Sequence, residues 1–386
     1  MQQLHYEVLI IGGGLVGLSL AKGLEKQGIS YCLVENNLIA KKTVTRSLAL
    51  SKTSIAILKY LDVWDNLTAK VTAIETIHVS AQGQWGHLLL EADTDEKLGV
   101  IIDLNDLQAE LMKQLQHSAV MLNGSFVEYL PNTQIVRVLQ GNEHVDIHAK
   151  LVIAADGALS SVRTQCGMPV EVNQEQIALI GTLILRHPHA GRAFERFTKF
   201  GPLALLPVNT HDMSIVWSIT KEHEELVRQN FAVFVEQQLG GRMGPVVGIE
   251  YRTTYPLRQI FMPVQVFNNI LFLGNAAHCL HPVAGQGFNL SLRDVITLLD
   301  CLKKYSFTQE LLPIYLLKRR RDQRCTQQLT QFLAQGFVRI PAPLQGLGLS
   351  LLGKFSWLKK LFSHYAQGLG YVLPVEIYQY LESLDE

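Results

Sequence analysis

The chain has 386 residues, of which 48% are hydrophobic and 18% charged, an ordinary globular composition long enough to bury a large core in about two or three domains. Formal net charge is +0 and no long run of one sign occurs, which argues against a nucleic-acid partner; the short "KRRRDQR" around Arg319 reads as a solvated helix face. The cysteines Cys32, Cys166, Cys279, Cys301 and Cys325 stand singly, without C-x-x-C, which favours a reducing compartment such as the cytoplasm and argues against structural zinc or an iron-sulfur centre.

The N-terminal "MQQLHYEVLIIGGG" has no basic region and cleavage site and so reads as no signal peptide. No stretch approaches the roughly 18 uninterrupted apolar residues of a membrane span. The opening instead alternates strand "YEVLII", turn "GGGLVG", helix "LSLAKGLEKQG" and strand "SYCLVE". Leu18, Ala21, Leu24 and Glu25 keep helical spacing, and Gly28 stands where a helix C-terminal glycine belongs. This is one βαβ unit.

Gly12, Gly14 and Gly17 form G-x-G-x-x-G between strand and helix, and Glu35 ends the next strand near the spacing of an acid that bonds a ribose hydroxyl. The three glycines serve a tight turn, close backbone approach to a pyrophosphate, and close packing of helix on strand; the helix N-terminus around Leu15 favours the negative charge. By itself the module serves FAD or NAD equally.

Short strands and turns follow from about Thr72 to Ile102 and again from Ile177 to Tyr255, around "LILRH", "LALLPV" and "MSIVWSIT". Between them lie the helix "LNDLQAELMKQLQ" and the strand "LVIAADG". The simplest assembly is an α/β fold: an FAD-type Rossmann-like domain from residues 1–71, 103–176 and 266–335, a mostly antiparallel substrate sheet from 72–102 and 177–265, and a C-terminal helical segment, 336–386.

Two further bends carry chemistry. Asp156 and Gly157 end the apolar strand of "LVIAADGALSSVR", with Ser160 and Arg163 just after. In "GNAAHCLHPVAGQGFNLSLRDV", Gly274 lets the chain leave a strand close to a ligand, Asn275 offers a donor and an acceptor to a polyol, and Pro282 stiffens the turn. Gly285 and Gly287 let backbone lie beside a planar ring, and unpaired N–H groups from Gln286 to Asn289 open a helix whose apolar side is Val295, Leu298, Leu299 and Leu302. His278 and Cys279 lack a third ligand at suitable spacing, so no metal is expected. Trp217 reads as a core aromatic, with a place in the pocket wall as the alternative.

Together the G-x-G-x-x-G of Gly12 to Gly17, the Asp156-Gly157 pair and "GNAAHCLHPVAGQGFNL" resemble the class A flavoprotein monooxygenases, the fold group of p-hydroxybenzoate hydroxylase, and within it the hydroxylases of ubiquinone biosynthesis. Asn275 stands where the superfamily commonly has Asp, as in the 2-polyprenyl-6-methoxyphenol hydroxylase branch, whereas His278 fits the wider pattern better. The resemblance implies that Gly12, Gly14, Gly17 and Glu35 hold the ADP half of FAD, that Arg46 and Gln108 contact its middle and flavin regions, and that Asp156 and Gly157 serve FAD and NAD(P)H use. Asn275 then binds ribityl or phosphate, and Pro282 to Gly287 border the isoalloxazine.

The implied activity is NAD(P)H- and O2-dependent hydroxylation, through a flavin C4a-hydroperoxide, of a polyprenylated phenol, with other ubiquinone-biosynthesis proteins as possible associates. A hydroxylase of a small soluble phenol, a polyprenyl reductase and a non-catalytic flavin subunit are the alternatives. No side-chain acid or base stands out; His281, beside Pro282, reads as a structural turn histidine, with relay of a proton or orientation of substrate near the flavin face as the alternative. Finally, "GLSLLGKFSWLKKLFSHYAQGL" sets Leu351, Leu352, Phe355, Leu358, Leu361, Phe362 and Tyr365 on one helical side, a basic amphipathic segment expected to touch the inner face of a membrane through 347–365.

Overall fold

The computed structural model describes residues 2–36, 46–92, 97–116, 120–337, 340–354, 367–368 and 372–384. The chain enters as β1 (Gln2–Ile11), turns through its glycines into α1 (Leu15–Lys26) and returns as β2 (Tyr31–Glu35). Val8 to Ile11 are buried on both faces, as a central parallel strand requires. Leu18, Ala21 and Leu24 are the buried stripe of α1, which stops before Gly28 at φ +67°.

β1 pairs in parallel with β2 on one side and with strand Glu143–Ala154 on the other. Strand Ile270–Phe272 extends the sheet beyond Glu143–Ala154, and Val120–Asn123 extends it beyond β2, both in parallel. A hairpin of Ser125–Leu130 and Ile135–Gln140 folds antiparallel onto Glu143–Ala154. Sequence reading names no element between residues 117 and 150 because these strands are short and broken by Gly124, Pro131, Asn132 and Gly141, which read as loop.

A second eight-stranded sheet runs in the order His278–Cys279, Val246–Phe261, Glu171–Leu185, Asp212–Thr220, Gly201–Pro207, Arg192–Thr198, Thr76–Ala81, His87–Glu91. It is antiparallel except where Arg192–Thr198 meets Thr76–Ala81 in parallel, the join between two separated stretches of chain. A three-stranded sheet of Ser47–Ser51, Gly99–Asp103 and Thr72–Ile74 lies apart from both.

Helices Glu224–Gln229 and Phe231–Leu239 cover one face of the large antiparallel sheet, packing Phe231, Val235 and Leu239 on Leu203 and Trp217. Trp217 is fully buried there and donates its Nε1–H to Thr198 Oγ1 at 3.2 Å, so it belongs to the core and not to a pocket wall.

Helix Gln286–Tyr305 is buried on every side from Asn289 to Leu302, not on an apolar face alone. Its charged residues meet helix Leu311–Gln331, and here the expectation of a solvated "KRRRDQR" is corrected. Arg320, Arg321 and Arg324 face solvent, but Arg319 and Asp322 are 1% and 2% exposed. Arg319 bonds Asp294 at 2.6 Å and Asp322 at 2.6 Å, and Arg293 bonds Asp322 at 2.7 and 3.0 Å. Gln323, Thr326 and Thr330 continue this buried side, so the helix turns a polar stripe inward because the facing helix supplies matching charge.

Candidate flavin site

Three bends converge because three strands are in register. Ile11 is level with Ala154, and Ala154 with Phe272. The glycine turn after Ile11, Asp156-Gly157 after Ala154 and Gly274 after Phe272 therefore leave adjacent carboxyl ends of one parallel sheet. Glu35 ends the fourth neighbouring strand, whose Val34 is level with Ile11. A crevice outside the carboxyl ends of parallel strands is where open α/β sheets bind ligands.

Each glycine of the first bend has a separate reason. Gly12 sits at φ +112°, and a Cβ there would stand 2.4 Å from the Ala155 carbonyl oxygen. At Gly17 a Cβ would come 2.0 Å from Gly12 O. At Gly14, the residue before Leu15 opens α1, a Cβ would meet nothing within 4 Å. No side chain caps α1, so its first amides face open space that suits a pyrophosphate. Glu35 Oε2 accepts from Gly13 N–H at 2.6 Å, which fixes the carboxylate against the turn.

In the second bend, Asp156 Oδ2 accepts from Ser161 Oγ at 3.1 Å and from Val162 N–H at 3.2 Å, while Oδ1 is buried with no partner among the described residues. Gly157, at φ +82°, borders open space. Arg163, which the sequence marked only by position, joins this bend to the third: Nη2 donates to Ala158 O at 2.7 Å and Nη1 to Ala276 O at 2.7 Å. Burial lowers its pKa, offset in part by Asp156.

The third bend ties the two sheets together, since Cys279 pairs with Ile260 of the antiparallel sheet. Gly274, at φ +60°, packs against Val16 of α1, and a Cβ there would lie 2.9 Å from it. Its nearest neighbour is thus the helix that opens the first bend. Asn275 is exposed, Pro282 half-buried, and Gly287 has open space beside it. Gly285 at φ +61° starts helix Gln286–Tyr305, which no side chain caps.

Asn289 is used differently from the amides around it. Its Oδ1 accepts from Ser51 N–H at 3.0 Å and Ser54 Oγ at 2.6 Å, and its Nδ2 donates to Ala49 O at 3.0 Å and Gly285 O at 2.7 Å. The side chain is committed to the protein and clamps the bend onto strand Ser47–Ser51.

His281 is buried, and Nδ1 accepts from Val283 N–H at 3.1 Å, which leaves the proton on Nε2. Nε2 has no partner among the described residues. Burial pushes the imidazole pKa down to about 4, so near neutral pH it is uncharged and donates without acting as a cationic acid. His278 pairs its Nε2 with buried Asp294, joining the bend to the charge network.

Arg46 adjoins the start of the helix that carries Gln108: Leu104 N–H donates to Arg46 O at 3.0 Å. The Arg46 guanidinium lies over the Tyr255 ring, 4.2 Å from its centre. Beside the third bend is an open pocket lined by Ser51, Gln286 and Asn289 on one side and by apolar Ile74, Ile77, Leu90 and Leu98 on the other. Among the described residues no titratable side chain lines it.

An uncapped helix N-terminus with room at Gly14, the orphaned Asp156 Oδ1, and open space at Gly157 and Gly287 fit a long, phosphate-bearing, ring-ended cofactor. Fold and site define an FAD-binding flavoprotein. Residues 5–327 match the family described as FAD binding domain, and the chain belongs to that family. It is 29% identical to ubiquinone hydroxylase UbiL of Rhodospirillum rubrum, covering 94% of this chain and 89% of that one. It is also 29% identical to 3-demethoxyubiquinol 3-hydroxylase of Escherichia coli, covering 94% and 98%. Among solved structures, p-nitrophenol 4-monooxygenase from Pseudomonas putida superposes with a TM-score of 0.78 over 96% of this chain and 99% of the other, at 17% identity, a likeness of fold.

Proposed function

We propose that the protein is an FAD-dependent aromatic-ring hydroxylase of ubiquinone biosynthesis, using NAD(P)H and O2 on a polyprenylated phenol of the 2-polyprenyl-6-methoxyphenol type. One observation carries the reading: three separated bends meet at the carboxyl edge of one parallel sheet, and the third also lines an apolar cavity through Gln286 and Asn289. The printed names of the two bacterial relatives, both hydroxylases of ubiquinone chemistry, support it.

On this reading Gly12, Gly14, Leu15, Gly17 and Glu35 hold the ADP half of FAD; Arg46, Gln108, Asp156, Gly157, Gly274 and Asn275 hold its middle; and Pro282, Gly285, Gln286, Gly287 and Asn289 border the ring. The FAD-binding part is then 1–71, 103–176 and 266–335, with the substrate sheet between. When bound, FAD supplies the redox chemistry that joins NAD(P)H to O2. The chain supplies position and dryness. Ile74, Ile77, Leu90 and Leu98 keep water from the reacting space and receive the phenol by its apolar body. With no titratable residue in the described lining, the substrate ring is oriented by packing and by the polar side chains of Gln286 and Ser51.

A prenyl tail resides in lipid, and we propose that the enzyme collects it at a membrane surface through 347–365. Helix Ala342–Lys354 exposes Leu344, Leu347 and Leu351 by 56%, 44% and 44%, a single apolar side, and packs beside the strand that carries Leu90. The remainder of the segment, 355–365, lies outside the described residues. Among the described residues no helix is long and apolar enough to cross a membrane.

The test is turnover of the purified protein with a prenylated phenol. NAD(P)H bleaches the bound flavin, and hydroxylated product then forms only when O2 is admitted. Product without O2 would make the protein a reductase, and bleaching without any product a non-catalytic subunit. Mass spectrometry of quinone precursors that accumulate without the protein identifies the ring carbon.

A further inference from the structure

The open pocket beside the third bend draws one wall residue from far down the chain. The segment expected to reach a membrane ends at residue 365, and Gln367, just beyond it, lines the pocket together with Ser51, Gln286 and Asn289. Its backbone is fixed there by buried groups. Thr53, fully buried near the start of helix Lys52–Tyr60, donates to Gln367 O from Oγ1 at 2.7 Å and from its N–H at 3.4 Å. Gly368 follows at φ +76°, so closely packed that a Cβ would lie 3.0 Å from Arg293 Nη1 and 3.1 Å from Thr53 Oγ1. The left-handed backbone and the close approach both call for glycine, and together they hold Gln367 on the side of the pocket that carries Ser51.

What sets Gln367 apart is an uncommitted side chain. Asn289 uses both ends of its amide on the protein. Ser51 Oγ donates to Ser54 Oγ at 3.2 Å and accepts from Ser54 N–H at 3.3 Å, so its hydroxyl keeps one lone pair. Gln286 has an interaction of its own within the protein. Gln367 bonds Thr53 through its main chain, while its half-buried carboxamide keeps a donor and an acceptor with no partner among the described residues. A neutral amide in an apolar, uncharged lining recognises a ligand by paired hydrogen bonds, not by charge.

We infer that Gln367 is a specificity-determining residue whose carboxamide recognises a phenol hydroxyl together with an ether oxygen on the adjacent ring carbon. Its C=O accepts from the phenol O–H and its Nε2–H donates to the ether oxygen, while Ile74, Ile77, Leu90 and Leu98 take the apolar body. A carboxylate at this position would supply the acceptor and lack the donor. The inference rests on the proposed use of this pocket for a methoxyphenol and adds the residue that selects for the methoxy group.

Titration of the FAD-loaded protein with 2-geranyl-6-methoxyphenol and with 2-geranylphenol, followed by the change in flavin absorbance, tests the assignment. The wild-type protein binds the methoxy compound about tenfold more tightly, the size of one hydrogen bond. In Gln367→Leu, which has neither group, and in the isosteric Gln367→Glu, which has no donor, the ratio of the two dissociation constants falls to within about twofold of one. The residue is held by its main chain, so both variants keep the fold, checked by their FAD content. Equal binding of the two phenols by the wild-type protein, or the full ratio kept in either variant, overturns the inference. Turnover of the same phenols with NAD(P)H and O2 tests the underlying reading separately: the binding preference without hydroxylation strikes the hydroxylase and leaves Gln367 as the selecting residue.

Discussion

Arg163 donates from Nη1 to the carbonyl of Ala276 at 2.7 Å, a bond between two turns 113 residues apart in sequence. With its companion bond to Ala158 it holds the Asp156-Gly157 bend against the third bend from inside the protein. Hydrogen bonds from a charged donor contribute about 1.5 to 3 kcal/mol each, and the orphaned carbonyls add to the loss. Arg163→Met is expected to lower stability by about 2 to 4 kcal/mol and to weaken FAD binding, and Arg163→Lys to recover part of both. Urea unfolding of the FAD-free protein, read beside an FAD titration, checks this; an unchanged midpoint contradicts it.

The His278, Asp294, Arg319, Asp322 and Arg293 network sits between two buried helices, where removing one partner strands a charge. Arg319→Leu should cost about 3 to 5 kcal/mol. Exposed Arg320→Leu, one residue on, should stay within about 0.5 kcal/mol. In Asp294 and Asp322 desolvation alone would raise the carboxyl pKa, but the arginines, and for Asp294 also His278, outweigh it and hold both below the usual range. Since the folded pKa values are depressed, the stability they contribute is complete above about pH 4, the unfolded value, and is lost as pH falls further. Unfolding midpoints from pH 7 to pH 3 should show a steep acid limb that Arg319→Leu flattens.

His281 makes a second, opposite use of burial. Its pKa falls from 6.5 to about 4 on folding, so in the window between those values the unfolded chain binds a proton that the folded chain refuses. Stability contributed by the neutral ring is therefore present above about pH 6.5 and declines by about 1.4 kcal/mol per unit as pH drops toward 4. His281→Gln should remove this slope. Chemical denaturation at pH 7 and pH 5 measures it, and identical slopes in both proteins would sink the assignment.

The glycine positions divide by what surrounds them. Gly17→Ala places a methyl 2.0 Å from Gly12 O and should prevent the first bend from closing, seen as loss of the cooperative unfolding transition. Gly14→Ala meets nothing and should leave the thermal midpoint of the FAD-free protein within about 2 °C.

How far the sequence foretold this depends on which physical signal each residue carries. Strand, glycine turn and helix at Gly12 to Gly17, the Asp156-Gly157 bend and the Gly274 bend were legible, because φ > 0 and close approach demand glycine and buried parallel strands demand apolar runs. Arg319 was not, since periodicity tracks apolar residues and an inward polar stripe is silent to it. Tyr315, Arg319, Asp322, Gln323, Thr326 and Thr330 do keep helical spacing, and Arg293-Asp294 stands between the apolar residues Leu292 and Val295 of the facing helix; those two facts together were the available signal. Asn289 shows the converse limit. A polar residue at a helix start reads as a ligand contact, and only the fold reveals that Ser51, Ser54, Ala49 and Gly285 use its amide fully.

The most direct measurement is an FAD titration of the purified protein and of Gly14→Glu, followed by absorbance with folding monitored in parallel. The wild-type chain should take up one yellow equivalent, and the variant, whose new carboxylate enters the space open beside Gly14, should stay folded and colourless. A folded wild-type protein that refuses FAD, or a Gly14→Glu variant that keeps a full equivalent, would contradict the placement of the cofactor across the three bends.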